Sequence, residues 1–125
     1  MNRDDDSDKS GHDHGPRRAH ARFPASAFER AASLFRAVGD VERLMLLERL
    51  SEGEWCVSEL AAAGDDELST VSQRLRLLRA EKLVSRRREG KHIYYSLADS
   101  HVAELIDSAL SHANEPATSG EEDEQ

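Results

Sequence analysis

Between Val71 and Leu97 the patterning of the chain changes abruptly. Val71, Leu75 and Leu78 recur at helical spacing. Two runs of strand length follow, Leu83 to Arg88 and His92 to Leu97, and Glu89-Gly90-Lys91 between them offers a turn whose glycine is free to take positive φ. Upstream, Cys56 to Ala63 has the length of a short helix, with Val57, Leu60 and Ala61 facing inward. Gly64-Asp65-Asp66-Glu67 then makes a tight turn, and Asp65 or Asp66 is placed to cap a helix from Ser69 to about Glu81.

Short helix, turn and amphipathic helix make a helix-turn-helix, and a hairpin directly behind it is a wing. The predicted fold is mainly α with one β-hairpin, a winged helix-turn-helix. Before it, residues 24–38 carry a helical stripe of Phe28, Ala31, Ala32, Phe35 and Val38. Gly39 breaks that helix and Asp40 caps a second, whose Val41, Leu44, Met45, Leu46, Leu47 and Leu50 form a broad apolar face. A closing helix runs from Asp99 to about Glu115 and stops at Pro116.

The chain has 125 residues, which suits one domain with tails. Residues 1–22 are polar, rich in His, Gly and Asp, and lack material for a core, so they are expected to be a disordered arm. Residues 23–115 form the folded domain, and 116–125 an acidic disordered tail. Aromatic residues are only 5% of the chain, so the core is mostly Leu, Val and Ala, and dimerisation is a natural source of further stability. The single cysteine, Cys56, excludes an intramolecular disulfide and suits a reducing compartment. No apolar run approaches the ~20 residues that span a bilayer, and the N-terminus has no signal-peptide core. A soluble, cytoplasmic protein with no membrane partner is expected.

The formal net charge of −8 argues against nucleic acid until its distribution is considered. Both tails are acidic. From Thr70 to Tyr95, eight basic residues face only Glu81 and Glu89, and local charge is what phosphate binding follows. With Val71 turned inward at 100° per residue, Ser69, Gln73 and Arg76 fall on the far side of the helix, flanked by Thr70 and Ser72. Arginine forks onto guanine, glutamine onto adenine, and serine serves base edges or phosphate. Arg79, Arg86, Arg87, Arg88 and Lys91 are expected at the phosphates of double-stranded operator DNA.

The closing helix carries a second kind of chemistry. Asp99, His101, His112 and Glu115 stand in two pairs, one at each end. His101 and His112 are close to three helical turns apart, so they share a face but lie roughly 16 Å from each other. One ion joins them only if a second copy of the helix runs antiparallel, so that Asp99 and His101 of one chain meet His112 and Glu115 of the other. A two-fold dimer repeats the contact and has two such sites. Two carboxylates and two imidazoles suit a borderline cation such as zinc. Asp99 also serves as a helix cap, and each of the other three has an ordinary solvated or interfacial alternative.

Taken together, Cys56-Val-Ser-Glu-Leu60, Leu68-Ser-Thr-Val-Ser-Gln-Arg-Leu75, Arg88-Glu-Gly-Lys-His-Ile-Tyr-Tyr95 and the Asp99-x-His101…His112-x-x-Glu115 segment resemble the ArsR/SmtB metal-sensing repressors, the zinc-responsive branch most closely. The resemblance covers about residues 25 to 115. It implies a homodimer joined through its first and last helices that covers an operator in the apo form and leaves it when metal binds, so that metal efflux or sequestration genes switch on. It also implies that Asp99, His101, His112 and Glu115 are the zinc ligands. The family's turn commonly follows its glycine with a β-branched apolar residue. Here the run is Gly64-Asp-Asp-Glu-Leu68, so Leu68 is expected to supply the apolar contact.

Relatives that sense arsenite, lead or cadmium place a thiolate at the position of Cys56, generally as Cys-x-Cys with further cysteines in the arm. This chain has Cys56-Val-Ser-Glu and no cysteine in its arm, so Cys56 reads first as a small buried residue. A lesser second site would combine Cys56 and Glu59 with His12, His14 or His20 of the arm. Relatives that sense nickel or cobalt add such arm ligands to the last-helix set, which makes Ni2+ and Co2+ the alternatives to Zn2+, with Cd2+ behind them. A redox-responsive repressor acting through Cys56 is a further alternative. An enzyme is not expected. No nucleophile has a positioned base, and four protein ligands leave zinc no open position for water.

Overall fold

The computed structural model describes residues 22–116. The expected arm, with His12, His14 and His20, and nearly all of the acidic tail lie outside the described residues. The chain divides into two units, Met1–Ala32 and Ser33–Gln125. In the first, Phe23, Ala27, Phe28 and Ala31 line an open apolar hollow, and the Arg22 guanidinium stands 5.3 Å from the centre of the Phe23 ring.

The elements follow the predicted order. They are α1 (Ala25–Val38), α2 (Val41–Leu50), β1 (Trp55–Cys56), α3 (Val57–Gly64), α4 (Leu68–Ala80), β2 (Val84–Glu89), β3 (His92–Leu97) and α5 (Ser100–Ala113). The hairpin gains a third strand that the sequence reading missed. β1 pairs antiparallel with β3, giving the sheet order β1-β3-β2. In the hairpin, Glu89 pairs with His92 and Val84 with Leu97, and Gly90 takes φ +62° as its turn requires.

The core of the larger unit collects the apolar faces of α2, α3, α4 and α5, with Ala37 and Val38 from the end of α1. Leu46, Leu47 and Leu50 of α2 meet Leu60 of α3, Val71, Leu75 and Leu78 of α4, Leu83, and Val102 and Ile106 of α5. Each such side chain contributes about 1.5–3 kcal/mol on burial. Among the described residues no polar or charged side chain is fully buried. The stripe read on α1 is different. Ala37 and Val38 are buried, but Phe28, Ala31, Ala32 and Phe35 are exposed.

The joints are set by short polar contacts. Asp40 caps α2, its carboxylate accepting the Arg43 amide at 3.0 Å. Arg43 reaches back to the end of α1, its Nε donating to the Ala37 carbonyl at 2.7 Å. Asp99 caps α5 through the Val102 amide at 3.0 Å.

The turn before α4 differs from expectation. Neither Asp65 nor Asp66 caps that helix. Asp65 takes the left-handed conformation, φ 55°, that ends α3, and the Asp66 amide bonds back to the Ala61 carbonyl. The Asp66 carboxylate receives Arg74 Nη1 at 3.2 Å, and a Cβ on Gly64 would lie 2.6 Å from Asp66 Oδ2. The glycine makes room for the ion pair. α4 consequently starts at Leu68, and Leu68 is 56% exposed instead of closing the turn.

Candidate metal centre and nucleic-acid interface

α4 is held by Val71, Leu75 and Leu78, all buried, so its opposite face is free. Ser69, Gln73, Arg76 and Arg79 are exposed, and Thr70 and Ser72 are half-buried at the flanks. This is the distribution expected of a helix that enters a groove. On the wing, Arg86, Arg87, Arg88 and Lys91 are all exposed. Between α4 and the wing lies a cleft of about 430 Å³ lined by Ser72, Leu75, Arg76, Arg79, Arg86 and Tyr95. Tyr95 was not among the expected contacts. It stands opposite Arg86 in the hairpin register, which the sequence shows only once the turn is placed.

Arg87 differs from its neighbours. Its Nε donates to both oxygens of Glu54, at 3.1 and 2.8 Å, and its Nη2 to Glu54 Oε1 at 2.8 Å. Nη1 donates to Glu89 Oε1 at 2.6 Å, and the guanidinium lies 5.1 Å from the centre of the Tyr94 ring. Hydrogen bonds donated to Glu54 and then to Glu89 raise the Arg87 pKa further, and the bond from Arg87 holds the Glu54 carboxyl below its ordinary value. Nothing local to Glu54 in the sequence signals this partnership with a residue 33 positions away.

The metal-ligand candidates form two pairs, as their spacing suggested. At the start of α5, His101 Nδ1 lies 3.9 Å from Asp99 Oδ1. At its other end, His112 Nδ1 lies 3.7 Å from Glu115 Oε1. The helix ends at Ala113 with Asn114 as its cap, two residues short of Glu115, whose amide turns back to the His112 carbonyl at 3.2 Å. Both imidazoles are open to solvent, with side-chain exposures of 89% for His101 and 85% for His112. Among the described residues no three His, Cys, Asp or Glu side chains gather at one point. Each pair therefore holds two donors, half of a tetrahedral set. The donor chemistry fits zinc, and a four-coordinate site would need its other half from outside the described part of the same chain.

Cys56 is half-buried at the edge of the sheet, less enclosed than expected, and its Sγ is 3.2 Å from Ser58 Oγ. Glu59 Oε1 accepts the Cys56 amide at 2.9 Å, so this carboxylate caps α3. Among the described residues the two have no histidine beside them. No described helix is long and apolar enough to cross a membrane.

A recognition helix, a wing and a basic cleft between them define a winged helix-turn-helix regulator. Comparison with known proteins agrees. Residues 40–86 match the pattern described as "Bacterial regulatory protein, arsR family". A transcriptional repressor SmtB homolog of Synechocystis is 44% identical over 87 residues, which is 70% of this chain and 66% of that protein. A cadmium resistance transcriptional regulatory protein CadC homolog of Staphylococcus aureus is 40% identical over 90 residues, 71% of this chain and 74% of that protein. The homodimeric winged helix-turn-helix DNA-binding domain Mb0332 of Mycobacterium bovis superposes with a TM-score of 0.72 at 31% identity, covering 80% of this chain and 93% of that one. The chain belongs to the arsR family of bacterial regulatory proteins. It is a DNA-binding transcriptional regulator and not an enzyme.

Proposed function

We propose that this chain is a metal-responsive repressor that binds operator DNA as a homodimer and leaves it when a divalent cation binds, derepressing metal efflux or sequestration genes. Zinc is the first choice, with nickel, cobalt and cadmium as alternatives. The observation that carries the reading is the separation of donors into two imidazole–carboxylate pairs at opposite ends of α5.

Asp99 and His101 of one protomer, with His112 and Glu115 of its partner, would complete one site, and the two-fold would repeat it. Dimerisation has support of its own. Val41, Leu44, Met45 and Leu110 line an apolar groove beside α5, and Phe35 is 57% exposed. The Mycobacterium bovis domain is described as homodimeric, and the names of the relatives point to repression and to cadmium resistance.

A bound cation supplies a crosslink between the ends of two paired helices. α5 packs on α2 and on β3, β3 also packs on α3, and α3 packs on α4, so β3 links α5 to the helix-turn-helix. By linkage, the factor by which metal weakens DNA binding is the factor by which DNA weakens metal binding, with couplings of typically ~1–3 kcal/mol. Sedimentation with and without metal tests the assembly. A dimer taking up two cations is expected, with His101→Ala reducing uptake while the dimer persists. A monomeric chain, or a single chain that takes up a tightly held cation by itself, contradicts the reading.

A further inference from the structure

Arg86, Arg87 and Arg88 border one hollow with Ile93, yet the strand sends their side chains to two faces. Side chains alternate across a sheet, so Arg86 and Arg88 share one face of β2 and Arg87 takes the other. The register gives each its neighbour, because residues directly opposite share a face: Arg86 stands across from Tyr95, and Arg87 from Tyr94.

The two faces have opposite electrostatics. Arg86 joins Arg76 and Arg79 in the cleft against α4, and no carboxylate lines that cleft. Among the described residues none of these three arginines forms an ion pair. Three guanidinium groups around one hollow repel one another until an anion enters. On the other face Arg87 is matched by two carboxylates, Glu54 and Glu89, so that group is net negative. Exposed ion pairs are usually weak, but a bidentate fork within a network is the arrangement in which they hold.

We infer that the arginine triplet is divided: Arg86, with Arg76 and Arg79, takes a DNA phosphate in the cleft, whereas Arg87 is held by Glu54 and Glu89 against Tyr94 and positions the wing without touching DNA. This rests on the DNA-binding reading above. It gives the wing a fixed pose before DNA arrives. Glu54 precedes β1 and Arg87 lies in β2, so their bond ties the two outer strands of the sheet across β3.

The test is the salt dependence of binding to a mixed-sequence DNA duplex, where phosphate contacts dominate. For the full chain, Arg86→Ala is expected to lower the slope of log K against log salt by about one per protomer. Arg87→Ala is expected to leave the slope at its parental value. In the free protein, amide exchange in the hairpin is expected to speed up in Glu54→Ala and further in Arg87→Ala, which also loses Glu89 and Tyr94, with the double variant no faster than Arg87→Ala, and Arg87→Lys is not expected to restore the parental rate. A slope that falls as far for Arg87→Ala as for Arg86→Ala overturns the division. So does additive acceleration of exchange in the double variant. A parent chain that binds no duplex removes the DNA-binding reading along with it, which is a different result from either.

Discussion

Asp99 Oδ1 accepts the Val102 amide at 3.0 Å and stands 3.9 Å from His101 Nδ1, so the residue that starts α5 is also the first of the proposed metal donors. The two roles separate by substitution. Asparagine ranks with aspartate as a cap but carries no charge. Asp99→Asn is expected to keep stability within about 0.5 kcal/mol of the parent, and Asp99→Ala to lose about 1 kcal/mol. Both are expected to weaken zinc binding by at least about tenfold. Urea unfolding and chelator competition measure the two effects. Parental zinc affinity in Asp99→Asn would leave the residue a cap and nothing more.

Leu68 and Leu78 lie on one helix with opposite surroundings. Leu78 is fully buried and Leu68 is 56% exposed. Leu78→Ala is expected to cost about 2–5 kcal/mol. Leu68→Ala is expected to cost under about 0.5 kcal/mol, as surface changes do. If both variants unfold at the same reduced urea concentration, Leu68 packs in the turn after all.

Lys82 holds φ 62° just after α4, where its amide and that of Leu83 close the helix onto the Arg79 and Leu78 carbonyls. A residue with a Cβ is strained there by about 1–2 kcal/mol. Glycine relieves the strain at some cost in unfolded-state entropy. Lys82→Gly is expected to raise unfolding stability by about 0.5–1 kcal/mol. A destabilised variant would mean that the lysine side chain itself contributes to the fold.

Glu54 has the pH signature. Its carboxyl is held below the ordinary 4.5 by the hydrogen bond from Arg87. A depressed folded-state value means that the pair stabilises the fold fully above about 4.5 and stops doing so as pH falls through the lower value. Both partners face solvent, so the contribution is small. Carbon NMR of the Glu54 carboxyl is expected to show a midpoint below 4.5 in the parent and a return toward 4.5 in Arg87→Ala. Equal midpoints in the two proteins would remove the pair from solution.

The local signals in the sequence were strong where one residue type does one thing. Asp40 and Asp99 could be assigned as caps, Gly90 as the turn residue, and Val71, Leu75 and Leu78 as the buried side of α4, because each follows from short-range geometry. The pairing of Asp99 with His101 and of His112 with Glu115 was legible for the same reason. What escaped depends on the fold. β1 is two residues long and exists only because β3 lies beside it. Asp66 spends its carboxylate on Arg74, eight residues away, so the helix cap expected of it never forms. Arg87 looked equivalent to Arg86 and Arg88 until the register set it on the other face beside Glu54, a residue 33 positions earlier. The exposed stripe on α1 had the spacing of a core face, and spacing alone does not say which chain covers it.

The central claim is that the last-helix donors couple metal to DNA. The direct measurement is a titration of the operator-bound protein with zinc, nickel, cobalt and cadmium salts, following release of a fluorescent duplex from the parent, His101→Ala and His112→Ala. The parent is expected to let go at a stoichiometry of two cations per dimer, and both variants to bind apo-form DNA normally while staying bound as metal is added. Release of DNA by His112→Ala at the parental zinc concentration would contradict the account.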